Sequence, residues 1–106
     1  MIQRNRTVFT YPAEGPAQGL LIGSEIGEHG VVVENAIVFP GAPRQTLTAM
    51  IRAGLVEAMQ AGYRVVTVCV PDLDPRGGAV AGLLARGGFS PYTETKDGTW
   101  WHRWIA

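Results

Sequence analysis

The longest pattern of apolar positions runs from Gly30 to Val70 and predicts a strand, a helix and a second strand. VVVENAIVF and YRVVTVCV are almost continuously apolar, as expected of strands that are buried on both faces. Between them, apolar or small residues recur at i, i+3, i+4, i+7, i+8, i+11 and i+12 from Leu47 to Met59, which is one stripe of an amphipathic helix. Gly54 in this stripe predicts a close approach of helix and sheet. A helix between two such strands predicts a parallel pair with a crossover connection.

Shorter patterns supply the remaining elements. The predicted strands are Arg6–Tyr11, Gly19–Ser24, Val31–Phe39, Arg64–Val70, Phe89–Thr95 and Thr99–Ile105, and the predicted helices are Pro43–Ala61 and a shorter one capped by Asp74, begun by Pro75 and ended by Gly87–Gly88. Short polar links favour an antiparallel meander for the first three strands, and Asp97-Gly98 indicates a hairpin between the last two. The sequence therefore predicts one α/β (α+β) domain over residues 1–106, a mixed central sheet flanked by two helices in the order βββ-α-β-α-ββ.

Composition narrows the possible functions. Nine basic and nine acidic residues give a formal charge of zero, which argues against binding to nucleic acid or to an acidic membrane. Cys69 is the only cysteine, and His29 and His102 have no ligand companions at metal-binding spacing, so neither a disulfide nor a metal site is expected. The first residues, MIQRNRTVFTYPAEG, lack a signal-peptide core, and no apolar run approaches 18 residues. We expect a cytoplasmic protein that does not enter a membrane.

The order of elements and two short motifs resemble the GNAT family of acyl-CoA-dependent N-acetyltransferases. Val38-Phe39-Pro40 is similar to the V-x-P with which a strand of that family enters a turn and a long helix, and Gly88-Phe89 is similar to the G-F that ends its shorter helix. The resemblance covers Leu20 to Ile105 in element order, while the family's first strand and two early helices have no counterpart here. It implies acetyl-CoA as the donor, an amine as the acceptor, and a pantetheine arm held between splayed parallel strands.

The resemblance also implies which residues contact the donor. They are Val38, Phe39, Arg44, Gln45, Thr46, Leu47 and Thr48. In the family, glycines in this turn let backbone N–H groups approach the diphosphate, and those positions fall on Thr46 and Thr48 here. A Cβ atom narrows the approach, although a threonine hydroxyl can itself donate to phosphate. The alternative is a Pro-initiated helix whose first turn is capped by threonine hydroxyls and water, without any ligand.

Two residues are candidates for the proton transfers. Glu34 interrupts an apolar strand, and the family often uses a glutamate on this strand as the general base toward the amine. The structural alternative is an ion pair of Glu34 with Arg64 or Arg103. The tyrosine that serves many family members as the acid toward the leaving thiolate corresponds to Leu84. Tyr92, on the next strand, is the remaining candidate for that acid, with packing against its neighbours as the alternative.

Three tryptophans in five residues exceed what a core of this size needs. Alternation along the last strand places Trp100, His102 and Trp104 on one face and Trp101, Arg103 and Ile105 on the other. A dimer interface would bury the excess aromatic surface, so we expect a homodimer. The sequence thus predicts a GNAT-like N-acetyltransferase that uses acetyl-CoA, or alternatively a catalytically inactive GNAT-like binding or regulatory protein, including a purely structural homodimer.

Overall fold

The computed structural model describes residues 6–72 and 77–105. Its strands are β1 (Arg6–Tyr11), β2 (Gly19–Ile26), β3 (Gly30–Val38), β4 (Val65–Val70), β5 (Ser90–Thr95) and β6 (Gly98–Trp104), and its helices are α1 (Thr46–Gln60) and α2 (Gly77–Arg86). The predicted order βββ-α-β-α-ββ is confirmed. The predicted cap Asp74 and first helical residue Pro75 lie outside the described residues.

All six strands form one mixed sheet in the order β1-β2-β3-β4-β6-β5. β1, β2 and β3 are an antiparallel meander, β3 and β4 are parallel, and β6 lies antiparallel between β4 and β5. The two crossovers run in the same direction across the sheet, so α1 and α2 are expected on the same face. One buried cluster indeed joins Leu55 of α1 and Leu84 of α2 to Val31 and Val66 of the central strands.

Helix α1 approaches the sheet closely where small residues allow it. A Cβ atom on Gly54 would lie 2.7 Å from Cδ1 of Leu21, which confirms the close approach expected from a glycine in the apolar stripe. A Cβ atom on Gly19 would lie 2.5 Å from both the carbonyl oxygen of Ile37 and Sδ of Met50, a side chain that is completely buried. These contacts fix α1 over β2 and over the end of β3.

The opposite face of the sheet carries none of the described helices. We call it the helix-free face. Side chains alternate along each strand, so the residues that neighbour core positions in sequence point to this face. Four of them are large apolar side chains with high exposure: Val8 (63%), Ile37 (37%), Tyr92 (49%) and Trp104 (66%). A face of this kind in a small domain is characteristic of an interaction surface.

Candidate functional site

The parallel strands at the centre of the sheet separate after a β-bulge in β3. β3 and β4 are paired only as far as Val33 and Val68. On its other side, β3 pairs with β2. Val33 lies opposite Gly23 and Asn35 lies opposite the adjacent Ile22, so Glu34 is the extra residue of the bulge. A bulge bends the strand that contains it and is common beside binding sites. Here it coincides with the point at which β3 stops pairing with β4, which leaves an opening between the two strands.

An apolar cavity of about 370 Å³ lies beneath this opening, between the sheet and the two helices. Strands β3 and β4 and helices α1 and α2 all contribute to it; its walls include Val33, Ala36, Leu47, Ile51, Val68, Val70, Val80 and Leu84. Glu34 and Asn35 border the same cavity at the bulge. A mainly apolar cavity with a few polar groups at one end is typical of small-molecule sites.

Glu34 is anchored on the helix-free face. The buried hydroxyl of Ser24 donates a 2.5 Å hydrogen bond to its Oε1, and Nη2 of Arg6 lies 3.7 Å from its Oε2. The side chain is 34% exposed, so it is less buried than an apolar strand predicts. The alternative considered for Glu34, an ion pair with Arg64 or Arg103, is wrong, because Arg6 is its partner. Arg103 lies on the helix side of β6, whereas the bulge directs the Glu34 carboxylate to the opposite face, toward β1 and β2.

The turn after β3 delays the start of α1. The helix begins at Thr46, three residues after the predicted start at Pro43, whose carbonyl accepts the N–H of Thr46 at 3.0 Å. The Thr46 side chain is buried, and its hydroxyl donates to Oε1 of Gln18 at 3.3 Å. Gln45 occupies the N-cap position without a side-chain capping bond. The Thr46 hydroxyl thus bonds to Gln18 and does not cap the first turn of α1, unlike in the alternative considered for this turn.

Two backbone N–H groups remain available at this turn. The described residues offer no backbone acceptor to the N–H groups of Leu47 and Thr48, although Ala49 donates to the carbonyl of Gln45. Unpaired N–H groups in the first turn of a helix attract anions. The side chain of Arg44 is exposed immediately before them, and Leu47 borders the apolar cavity.

The other predicted donor-site residues surround the same turn. Val38 and Phe39 are half-buried at the end of β3, and Gln45 is exposed. Phe39 also closes the turn through its carbonyl, which accepts the N–H of Ala42 at 3.1 Å. The structure therefore brings the predicted residues together around one turn at the mouth of the cavity. Their role toward a ligand stays a prediction.

Tyr92 is remote from this opening. Its ring is half exposed on β5 and stacks on the ring of His102, with 4.5 Å between the centroids. β5 is the outer strand, three positions from β3, which corresponds to about 14 Å at the usual strand spacing. The structure does not bring Tyr92 close to Glu34, and its catalytic role stays a prediction.

Cys69 and Asn35 border the cavity, and no motif or spacing in the sequence assigns Asn35 to a site. Burial, followed by the charges of Asp97 and Asp72, raises the pKa of the Cys69 thiol. The raised pKa favours the neutral thiol over the nucleophilic thiolate. Cys69 is therefore a wall residue of the site and a poor nucleophile.

Within residues 6–72 and 77–105, no group of three or more His, Cys, Asp or Glu side chains is placed to hold a metal ion. Neither of the two helices in that part of the chain has the length and hydropathy needed to cross a bilayer.

Comparison with solved structures finds proteins of the same architecture. A Desulfovibrio desulfuricans protein assigned to the GNAT family of acetyltransferases matches 95% of this chain over 69% of its own length, with a TM-score of 0.79 and 11% identity. The ribosomal-protein-S18-alanine N-acetyltransferase of Escherichia coli matches 95% over 70%, with a TM-score of 0.75 and 20% identity. The PaiA N-acetyltransferase of Thermoplasma acidophilum, solved in complex with coenzyme A, matches 94% over 61%, with a TM-score of 0.74 and 9% identity. No family model matches the sequence, and no curated protein matches it significantly.

The chain therefore has the fold of the GNAT acetyltransferases, and the resemblance seen in the sequence is confirmed at the level of the fold. At these identities the likeness establishes the fold alone. This chain spans 61 to 70% of the length of the three proteins named above.

Proposed function

We propose that this protein is a GNAT-like N-acetyltransferase that transfers an acetyl group from acetyl-CoA to an amine. The observation that carries the proposal is the bulge at Glu34, where the parallel strands separate above an apolar cavity of about 370 Å³. Solved proteins of the same fold support it, because they are acetyltransferases and one is in complex with coenzyme A.

The opening between β3 and β4 suits the pantetheine arm of the donor. Beyond Val33 and Val68 the two strands no longer pair with each other, so their facing backbone groups are free to bond a ligand. Pantetheine is an extended chain with two amides, and it can add to these edges as a short strand does. The thioester end then lies beside the bulge, against apolar walls that exclude water.

The turn at the start of α1 suits the diphosphate of the donor. The N–H groups of Leu47 and Thr48 have no backbone acceptor among the described residues, and the guanidinium of Arg44 adds a positive charge. Threonines at the family's glycine positions make this site narrower, and Thr46 is turned inward toward Gln18. We propose that backbone N–H groups and Arg44 bind the diphosphate without the Thr46 hydroxyl.

Glu34 is the proposed general base. Its carboxylate lies on the helix-free face while the residue also borders the cavity, so it can reach an acceptor that approaches the thioester through the opening. The amine nitrogen attacks the thioester carbon and forms the C–N bond while Glu34 takes the N–H proton, directly or through water. The C–S bond then breaks, and the thiolate takes a proton from solvent; Tyr92, on the outer strand β5, is the alternative donor.

The proposed dimer interface is the part of the helix-free face on β5 and β6, away from Glu34. A second copy is the proposed occupant, because the formal net charge of zero puts no Coulomb penalty on self-association, and because the exposed Tyr92 and Trp104 would be buried together. Sedimentation at micromolar concentration should give a dimer, and Trp104→Glu should shift it to monomer. A wild-type monomer at all concentrations would contradict the homodimer.

A screen for thiol release from acetyl-CoA over a panel of amines tests the activity. Turnover with any amine that is lost in Glu34→Gln supports the proposed reaction. Binding of acetyl-CoA without turnover would favour the second candidate, an inactive binding or regulatory protein, which is consistent with Leu84 at the family's tyrosine position. The cytoplasmic location expected from the sequence stays a prediction.

A further inference from the structure

A second cavity, of about 420 Å³, lies between α1 and α2, and we call it the arginine cleft. Arg52 of α1, Arg86 of α2 and Arg103 of β6 all border it, together with Thr48. None of the described residues on its walls is acidic. One third of the nine basic residues of a chain with zero net charge thus face one opening.

The three guanidinium groups lack anionic partners in the described part of the chain. The ion pairs in this part join Arg6 to Glu34 and His29 to Glu28, and no described carboxylate lies within 4 Å of Arg52, Arg86 or Arg103. Like charges that share a cleft repel one another unless an anion binds between them. The arrangement is therefore one that an anionic ligand would stabilise.

Arg103 is held in position for such a ligand. Its Nη1 donates to the carbonyl of Gly87 at 2.9 Å, and its guanidinium lies against Gly88, where a Cβ atom would come within 3.3 Å of Nε. The remaining N–H donors of this planar group stay available. Arg86 stands in the last turn of α2, where a cation also favours the helix dipole. Arg52 has no comparable structural role, because it is exposed in the middle of α1.

The arginine cleft is continuous with the site proposed for the donor. Ile51 and Leu55 separate the cleft from the apolar cavity and border both. Thr48 belongs to the turn proposed for the diphosphate, and Arg52 follows it by one helical turn, at about 6 Å between Cβ atoms. A ligand whose diphosphate lies at that turn would reach the cleft with a neighbouring phosphate group.

We propose that the arginine cleft binds the 3′-phosphate of the donor's nucleotide. This inference rests on the proposed function, because coenzyme A carries both a diphosphate and a separate 3′-phosphate monoester. The monoester is a dianion, and guanidinium groups bind phosphate with paired hydrogen bonds. The cleft would make the protein selective for coenzyme A over its dephosphorylated form.

Calorimetric titration with CoA and with dephospho-CoA tests this assignment, because the two ligands differ only in the 3′-phosphate. The wild type should bind CoA more tightly by roughly tenfold or more, as expected for charge-assisted hydrogen bonds. The double variant Arg52→Gln/Arg86→Gln should bind both ligands with the affinity that the wild type has for dephospho-CoA. Both side chains are exposed, so the variant is expected to fold, and Arg103 is left unchanged because it bonds to Gly87.

Two matched variants distinguish the arginine cleft from the diphosphate site and from exposed arginines elsewhere. Arg44→Gln should weaken both ligands equally and keep their ratio, because it acts on the diphosphate. Arg64→Gln removes an exposed arginine outside the cleft and should change neither affinity. Equal wild-type affinities, or a ratio that survives in Arg52→Gln/Arg86→Gln, would overturn the assignment and leave the proposed function standing. Failure of both ligands to bind the wild type would overturn both.

Discussion

Replacement of Glu34 by Gln should separate catalysis from stability. The amide oxygen can still accept the hydrogen bond of the Ser24 hydroxyl, so the bulge keeps its buried partner. The lost ion pair spans 3.7 Å to an Arg6 side chain that is 73% exposed, and such pairs contribute only about 0–1 kcal/mol to the free energy of unfolding. Loss of a general base, in contrast, lowers kcat by roughly 10²- to 10⁴-fold.

The assay is thiol release from acetyl-CoA with the best amine of the panel, alongside urea unfolding. The kcat of Glu34→Gln should be lower than that of the wild type by about 100-fold or more, with its affinity for acetyl-CoA unchanged. Its free energy of unfolding should lie within about 1 kcal/mol of the wild-type value. Arg6→Gln is the matched control, because it breaks the same ion pair and keeps the carboxylate. A fall in kcat of less than about tenfold in Glu34→Gln, or an equal fall in Arg6→Gln, would refute the role of Glu34 as the base.

Three further predictions concern stability and access. The hydrogen bond to Glu25, with burial and the Glu25 charge adding to it, raises the pKa of Tyr63 from 10.0 to about 12. The stabilisation of the folded state that follows is complete below pH 10 and is lost as the pH rises through 12. Thermal unfolding should show this loss in the wild type and not in Tyr63→Phe. Cys69 should react with iodoacetamide at pH 8 more slowly than free cysteine, and acetyl-CoA should slow it further; unchanged rates with ligand would place the donor elsewhere. Gly19→Ala should destabilise by about 1–3 kcal/mol in urea unfolding through overpacking, whereas the open helical position Gly78→Ala should be neutral or stabilising.

The element order was predictable because periodicity and turn residues reflect local physics. The apolar runs before and after α1 gave the parallel pair, and the stripe from Leu47 to Met59 gave the buried side of the helix. The resemblance in Val38-Phe39-Pro40 and Gly88-Phe89 then pointed to the fold that the solved structures share. Each of these signals lies within a short stretch of sequence.

The details of the site were not predictable because they depend on contacts distant in sequence. The bulge at Glu34 adds one residue to an apolar run without changing its appearance, so its carboxylate was assigned the wrong partners. Thr46 is buried because it meets Gln18, a residue 28 positions earlier in the chain. The arginine cleft draws on two helices and a strand, and no spacing along the chain indicates it.

Calorimetry with acetyl-CoA tests whether the cavity beneath the bulge binds the donor, with Ala36→Phe as the companion variant. Ala36 lies on the wall of the apolar cavity just beyond the bulge, so a phenyl group there would fill the space assigned to the donor. Circular dichroism verifies that the variant keeps its fold. We predict saturable 1:1 binding of acetyl-CoA to the wild type and loss of that binding in Ala36→Phe. No heat with the wild type at millimolar ligand, or equal affinity in the variant, would contradict donor binding in this cavity.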